Sequence, residues 1–246
     1  MTRFCLFTCF LLFVSCHFFQ SEEVLDAPKG IIGQAKKMMD QLVPTEKLDT
    51  AQHIEQYNIL KAKIKVEQTK ALKNKQTSQQ AKDYLFDILT DSIFRYWDGT
   101  TWDFNGVTKT PRKGDIACGY FVTTTLQDAG IKLQRYKLAQ QAAADIAKKL
   151  CAVNSIKWFN DVESLSQHIE SKGDRQLYIL GLDYHVGFIV RENGENFFVH
   201  SNYVEREGVI RENLENSPVI GASKAYLVGN LLENEALLKT WLSGLW

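Results

Sequence analysis

The stretch HVGFIVRENGENFFVHSNY, residues 185–203, decides the fold of this chain. Two short runs rich in β-branched and aromatic residues flank Asn193 and Gly194, and an Asn-Gly pair between such runs is a strong signal for a tight hairpin. LYILGLDY (residues 177–184) and KAYLVG (residues 224–229) predict further short strands. Helices come first along the chain and an antiparallel sheet second, which predicts an α+β fold rather than an alternating α/β fold.

The predicted hairpin also brings two histidines together. Residues equally far from a two-residue turn lie opposite each other, so His200 is expected opposite Gly187 and His185 opposite Asn202. His185 and His200 then share one face of the sheet, and Gly187 leaves room beside the His200 ring. The hairpin therefore predicts a cluster of His185, His200 and Asn202 at one end of the sheet.

The residues before and after this sheet favour helices. A stripe of Ile54, Tyr57, Leu60 and Ile64 predicts one long helix, with His53 near its polar, solvated side. Cys118 begins a predicted helix over residues 118–129 that is closed by Gly130. The other predicted helices are residues 78–97, 137–151, 160–173 (with a capping-box-like Asn160 and Glu163) and 233–246.

Length and charge set the broad class. The 246 residues suit one substantial domain, or one domain with a helical appendage, and the composition is ordinary for a globular protein. The 29 basic and 29 acidic residues balance, so no charge excess points to a nucleic-acid partner. We interpret residues 21–80 as a tether followed by an N-terminal helical region, and residues 81–246 as the main domain.

The first twenty residues, MTRFCLFTCFLLFVSCHFFQ, predict export. Arg3 precedes a nearly unbroken apolar run that is too short for a comfortable membrane span and fits a signal peptide over residues 1–20. Cleavage before a lipidated Cys16 would tether the protein to a membrane, and simple cleavage near Gln20 is the alternative. An uncleaved anchor is a third interpretation. The expected location is periplasmic, anchored to the outer membrane as a lipoprotein, or secreted.

The cysteines and histidines limit the kinds of site. Three of the five cysteines lie in the signal segment, which leaves Cys118 and Cys151 in the main domain. Two cysteines make no disulfide framework, although a single bridge between them is an alternative to free thiols. No CxxC pair is present and the five histidines show no metal-ligand spacing, so we expect neither a zinc site nor an organic cofactor.

Cys118 has the sequence setting of a nucleophile. A cysteine in the first turn of a helix is expected to have a lowered pKa, and the helix N–H groups there can stabilise an oxyanion. His185 is the candidate base, and His200, with Asn202 in reserve, is the candidate for orienting it. The competing interpretation of Cys118 is a small buried apolar residue.

Four segments, YWDGTTWDFNG, IACGYFV, HVGFIV and FFVHS, resemble the NlpC-type cell-wall peptidases of the papain-like superfamily over about residues 94–205. That family has patterns near Y-x-W-G-G, D-C-S-G-[FL]-V, H-[VA]-G-[IF]-[YF] and F-[IV]-H-[AS]. The resemblance implies a papain-like, NlpC-like domain with a helix-borne Cys118 as nucleophile on a mainly antiparallel sheet. It implies His185 as the base and His200 as the residue that orients it.

The resemblance also suggests a substrate class. Tyr96 and Trp97 match an aromatic segment that lines the family's substrate groove, and Trp102 is a further candidate for its wall. Asn202 is also a candidate for substrate contact. Ala117 and Gly119 depart from the family pattern, which has Asp and Ser there. The chain as a whole is also similar to exported proteins of Bacteroidetes-type bacteria.

Together these features predict an exported cysteine hydrolase acting on an amide or peptide bond, with peptides or peptidoglycan fragments as substrates. A degenerate papain-like binding protein and an acyltransferase that uses the same cysteine are the alternatives.

Overall fold

A computed structural model describes residues 49–244 of the chain. Its helices are α1 Thr50–Lys73, α2 Ser78–Asp87, α3 Phe94–Trp97, α4 Cys118–Asp128, α5 Arg135–Ala139, α6 Ala143–Leu150, α7 Val162–Glu170, α8 Pro218–Ala222 and α9 Glu235–Leu242. Its strands are β1 Lys157–Phe159, β2 Gln176–Gly181, β3 Val186–Glu192, β4 Glu195–Asn202, β5 Gly208–Asn213 and β6 Tyr226–Asn230. A π-helical segment, Ile88–Ile93, joins α2 to α3, and short 3₁₀ turns cover Val153–Ser155 and Val204–Arg206.

The predicted signal peptide (residues 1–20), with its lipidation site Cys16, lies outside the described residues. No helix within residues 49–244 is long and apolar enough to span a membrane.

The strands form one open sheet in the order β1-β6-β2-β3-β4-β5, and every pair of neighbours is antiparallel. Helices precede most of the sheet along the chain, so the α+β prediction is confirmed. The helix that begins at Cys118 and the strands β3 and β4 that follow it are the elements on which the candidate site is built.

The hairpin prediction is confirmed in its turn and its register. Asn193 and Gly194 have φ angles of 52° and 80°, the left-handed conformation that both central residues of a type I′ turn require. The β3–β4 pairing starts beside this turn and places Phe188 opposite Val199. The same register brings Gly187 beside His200.

Helices cover both faces of the sheet. Successive residues of a strand point to opposite faces, so each face carries apolar side chains that pack against helices. Phe188 and Val190 of β3 lie in a core shared with α1, α2, α3, α4, α6 and α9. Ile189, between them, points to the opposite face and packs with α7 and α8. Phe198 of β4 also belongs to this second core.

Helix α1 packs into the first core through one apolar face and several buried hydrogen bonds. Tyr57 Oη donates to Asp128 at 2.7 Å and accepts from Trp97 Nε1 at 2.8 Å. Gln68 Nε2 donates to the Trp241 carbonyl at 2.7 Å. The division between residues 21–80 and 81–246 stays a prediction, but the hydrophobic core is continuous across it.

The prediction that His53 is solvated is wrong. Its side chain is buried, and its Nε2–H donates to the Tyr96 carbonyl at 2.8 Å. The buried face of α1 therefore begins at His53 and not at Ile54, which is only half-buried. Burial lowers the pKa of His53, which keeps the ring neutral inside the core.

Two helix boundaries also differ from the predictions. Asp161, not Asn160, caps α7, because its side chain accepts the Ser164 N–H at 2.7 Å. The helix predicted over residues 137–151 is divided into α5 and α6. This division matters for the site, since the end of α5 packs against the start of α4.

Candidate active site

Cys118 is the first residue of α4 and follows Ala117, which is extended. Ala117 has no side-chain oxygen, so no side-chain cap binds the N–H groups of the first turn. The first described N–H of this helix to donate to a backbone carbonyl is that of Phe121, to Ala117 at 2.9 Å. The helix start therefore offers N–H groups and the positive end of a dipole to a thiolate or an oxyanion.

The pKa of Cys118 shifts in the direction opposite to the prediction. Burial of the thiol raises its pKa above its usual range, and the backbone N–H groups of Val186, Gly119 and Cys118 offset only part of that shift. The expectation of a lowered pKa is therefore wrong for the protein without substrate. Cys118 carries its proton at neutral pH, so any attack by its sulfur requires a base.

His185 and His200 are hydrogen-bonded to each other. His185 Nε2 lies 2.8 Å from His200 Nδ1, and the two rings are nearly perpendicular. His200 Nε2 lies 2.9 Å from Glu212 Oε1, with the His200 side chain fully buried and that of Glu212 21% exposed. The predicted clustering of the two histidines is confirmed, and a carboxylate extends it.

The carboxylate determines which ring nitrogen carries each proton. An ionised Glu212 only accepts, so the His200 proton lies on Nε2 and His200 Nδ1 is left to accept from His185 Nε2–H. His185 Nδ1 then holds a lone pair and can act as a base. Burial raises the pKa of Glu212, but hydrogen bonds from His200 and Ser217 bring it below its usual range.

Burial keeps both imidazoles neutral. Burial lowers the pKa of His185 well below its usual range, and the repulsion that two protonated rings would exert on each other lowers it further. Burial also lowers the pKa of His200, although the hydrogen bond to Glu212 raises it in part. At neutral pH the arrangement is thus a carboxylate and two neutral rings, with the acceptor nitrogen at the His185 end.

The thiol and the imidazole approach the same end of β3 from different sides. Cys118 packs at the margin of the core that contains α4, while Phe198, stacked on His200 with ring centroids 4.1 Å apart, lies in the core on the opposite face. Within residues 49–244, no hydrogen bond joins Cys118 Sγ to a His185 ring nitrogen. The thiol instead lies by the N–H of Val186, the residue after His185. Catalytic hydrogen bonds are often long before substrate binds.

Gly187 makes room for the histidine pair, as the sequence predicted. A Cβ at this position would lie 2.6 Å from a Phe198 ring carbon and 2.8 Å from His200 Cβ, both closer than real Cβ contacts. The two stacked rings therefore occupy the space that a side chain at position 187 would fill.

The variant Gly187→Ala is expected to lose about 1–3 kcal/mol of unfolding free energy, the usual cost of overpacking a core. His200 should also shift away from His185. Urea denaturation measures the first effect, and imidazole NMR signals of the pair report the second. Gly221→Ala is the matched control, because a Cβ at Gly221 meets no atom within 4 Å. An unchanged stability in Gly187→Ala would contradict the packing argument.

A cavity of about 390 Å³ opens beside His185. It is lined by Asp183, Tyr184, His185, Tyr203, Ala222, Ser223 and Lys224. The Tyr203 ring stands edge-on to His185 with centroids 5.3 Å apart, and the half-buried Trp102 follows at 6.3 Å from Tyr203. Trp102 does not line the cavity but packs next to Tyr203, which does. Its role in substrate contact stays a prediction.

The predicted groove residues Tyr96 and Trp97 are core residues instead. Their side chains are 1% and 0% exposed, and Trp97 Nε1 donates to Tyr57 of α1. Neither ring is available to a substrate, because α1 covers this side of α3.

Asn202 is also bound elsewhere. Its Nδ2 donates to Glu207 at 2.9 Å and its Oδ1 accepts the Val204 N–H at 2.9 Å, so both ends of the amide stabilise the loop after β4. This corrects the expectation that Asn202 orients His185 or contacts substrate. His200 alone makes the orienting hydrogen bond.

Gly119, where the resembled family has serine, is explained by packing. A Cβ on Gly119 would lie 2.3 Å from the Ala139 carbonyl oxygen, so the end of α5 rests directly on the start of α4. A serine at position 119 would therefore clash with the end of α5, which covers the residue next to Cys118.

Sequence reasoning missed Glu212. Strand β5 pairs Ile210 with His200 and Glu212 with Phe198, so Glu212 lies two residues along from the position opposite His200 and on the same face. The short run GVIREN, residues 208–213, was the available signal, since its alternation would have placed Glu212 beside His200 once the strand was recognised.

Cys151, the second cysteine of the described residues, is buried. Cys151 Sγ lies 3.1 Å from the Gly229 carbonyl, and burial raises its pKa to about 12. Cys118 and Cys151 are both free thiols, so the alternative of a bridge between them is not realised. Cys151 is an internal control for any reagent directed at Cys118.

No protein-family model, curated protein or solved structure matches this chain. Across residues 49–244, no group of three or more His, Cys, Asp and Glu side chains is arranged to hold a metal ion.

Proposed function

We propose that this protein is a cysteine hydrolase that cleaves an amide or peptide bond, with Cys118 as nucleophile, His185 as base and His200 as the residue that orients it. The observation that carries the proposal is the hydrogen-bonded series from Glu212 through His200 to His185, which leaves an acceptor nitrogen on a buried, neutral imidazole. The imidazole belongs to the residue directly before Val186, whose backbone N–H lies by the Cys118 thiol.

The chemistry follows from these positions. His185 Nδ1 removes the Cys118 proton as the sulfur attacks the scissile carbonyl, and N–H groups at the start of α4 stabilise the oxyanion. The C–N bond then breaks as His185 returns the proton to the leaving amine, which leaves a thioester on Cys118. His185 next takes a proton from water as the water oxygen attacks the thioester. The C–S bond then breaks, the carboxylic acid departs, and His185 returns the proton to the Cys118 sulfur.

The finer parts of the proposal come from the sequence. The resemblance to NlpC-type peptidases supports a papain-like, NlpC-like domain and peptides or peptidoglycan fragments as substrates. Export, with or without a lipid tether at Cys16, rests on residues 1–20. Nothing in the balanced charge favours a nucleic-acid partner.

A second candidate is a binding protein that retains the scaffold without turnover. The raised pKa of Cys118, together with the direct packing of Gly119 on Ala139, favours this alternative. Acyl transfer to an amine would use the same thioester and differs from hydrolysis only in the final acceptor.

Acylation by p-nitrophenyl acetate tests the proposal without knowledge of the natural substrate. We expect a burst of p-nitrophenol at neutral pH and an acetyl group on the peptide that contains Cys118. Cys118→Ala should abolish the burst, and Cys151→Ala should leave it unchanged because Cys151 is buried with a pKa of about 12. Acetylation no faster than that of a simple thiol would favour the binding protein.

A further inference from the structure

Among the residues that the structure describes, Lys224 is the one lysine or arginine that lines the cavity beside His185. Lys224 is exposed, and in the part of the chain that the structure describes no carboxylate pairs with its side chain. Asp183 brings a negative charge to the same lining, but its Oδ2 accepts the backbone N–H of Lys224 at 2.7 Å rather than the side-chain ammonium. The Lys224 ammonium is therefore left to pair with a negatively charged group of a ligand.

The lining of the cavity also includes two tyrosines, Tyr184 and Tyr203. The Tyr184 side chain is 96% exposed at the rim, although a large aromatic side chain of a globular protein usually buries part of its surface. Tyr203 contacts the His185 ring edge-on and is itself 38% exposed. A ligand reaching His185 through this cavity would meet aromatic surface on the way.

The position of the cavity relative to the reaction identifies which part of a substrate it holds. The acyl part of a substrate stays with Cys118 and the N–H groups at the start of α4, whereas the leaving nitrogen must reach His185 to receive its proton. His185 lines the cavity, and no residue of α4 does. The group attached to the leaving nitrogen is the part that this cavity can accept.

We propose that the cavity is a leaving-group site for amines that carry a carboxylate, that is, amino acids or the end of a short peptide. Lys224 pairs with the carboxylate, and Tyr203 and Tyr184 contact an apolar or aromatic side chain of the leaving group. This inference rests on the proposed hydrolase function and adds to it a preference for bonds next to a free carboxyl end.

Partition of the acetyl-enzyme between amines tests the inference. The site of the leaving amine is also the site of an attacking amine, because the reverse of amide cleavage follows the same path. Acetyl-enzyme formed from p-nitrophenyl acetate is offered phenylalanine or phenylalaninamide, and the acetylated amine is measured against acetate. Comparing the ratio of the two products between variants cancels the intrinsic reactivity of each amine.

We expect Lys224→Ala to lower the phenylalanine-to-phenylalaninamide product ratio about tenfold, equivalent to about 1.4 kcal/mol for one charge-assisted contact. Lys172→Ala, an exposed lysine outside the cavity, should leave the ratio unchanged. An unchanged ratio in Lys224→Ala, with hydrolysis of the acetyl-enzyme intact, overturns the leaving-group site but not the hydrolase. Failure of the wild-type protein to form an acetyl-enzyme on Cys118 overturns both.

Discussion

Replacing His185 with glutamine is expected to slow acylation of Cys118 by p-nitrophenyl acetate at neutral pH at least about a thousandfold, as loss of the base does in related nucleophile–base pairs. Glutamine fills similar space and can still hydrogen-bond His200, so the fold should be retained. It cannot accept the thiol proton. Because burial raises the pKa of Cys118, very little thiolate is present to react without a base. Stopped-flow measurement of the p-nitrophenol burst gives the rate.

The pH dependence of the same rate separates a base from a merely structural role. Burial lowers the pKa of His185 below its ordinary value, so the ring stays neutral at every pH above about 6.5. The wild-type rate should therefore be nearly level from about pH 6.5 to 8 and fall only in more acidic solution. In His185→Gln only the thiolate reacts, so the rate should rise about tenfold per pH unit over the same range. Parallel profiles for both proteins would refute the assignment of His185.

The parts of the site that sequence could predict depend on local rules. The left-handed turn at Asn193 and Gly194 sets the register of β3 and β4, and that register alone places Gly187 beside His200. The start of α4 at Cys118 follows from helix patterning in the same way. Neither prediction needed any knowledge of distant segments.

The parts that failed depend on which segments pack together. Tyr96 and Trp97 are buried because Tyr57 and His53 of α1, 40 and 43 residues before their hydrogen-bond partners, pack against them. No local pattern around residues 96 and 97 carries that information.

The same limit applies to the charge state of the nucleophile. The backbone N–H groups near Cys118 favour the thiolate, as the dipole of α4 does. Burial of the sulfur outweighs them, and Cys118 is buried by packing against the core that α4 shares with the sheet, which only the folded chain brings together. In the proposed hydrolase, a thiol that carries its proton would depend on the His185 imidazole to remove it.

Replacing Glu212 with glutamine is expected to lower the acylation rate of Cys118 by about a hundredfold or more. Glu212 is linked to His185 only through His200, so this effect would act through two imidazoles. The carboxylate only accepts, which requires the proton on His200 Nε2 and leaves His185 Nδ1 as a base. The amide of glutamine can instead donate to His200 Nε2. His200 Nδ1–H then donates to His185 Nε2, and the His185 proton lies on Nδ1, where a base is required. A comparable tautomer reversal in a serine hydrolase costs about 10⁴ in rate.

Glu212→Ala separates this effect from a loss of packing. Alanine removes the acceptor but imposes no tautomer on His200, so its rate should exceed that of Glu212→Gln even though it removes more atoms. Long-range ¹H–¹⁵N spectra of the imidazoles identify which nitrogen carries each proton, and Glu212→Gln alone should reverse the pattern. Glu215→Gln is the matched control, since that carboxylate binds Ser166 and Asn196 rather than a histidine. If Glu212→Gln retained the wild-type tautomers and rate, the proton on His200 would be set by something other than the carboxylate, and the role of Glu212 in preparing His185 as a base would be wrong.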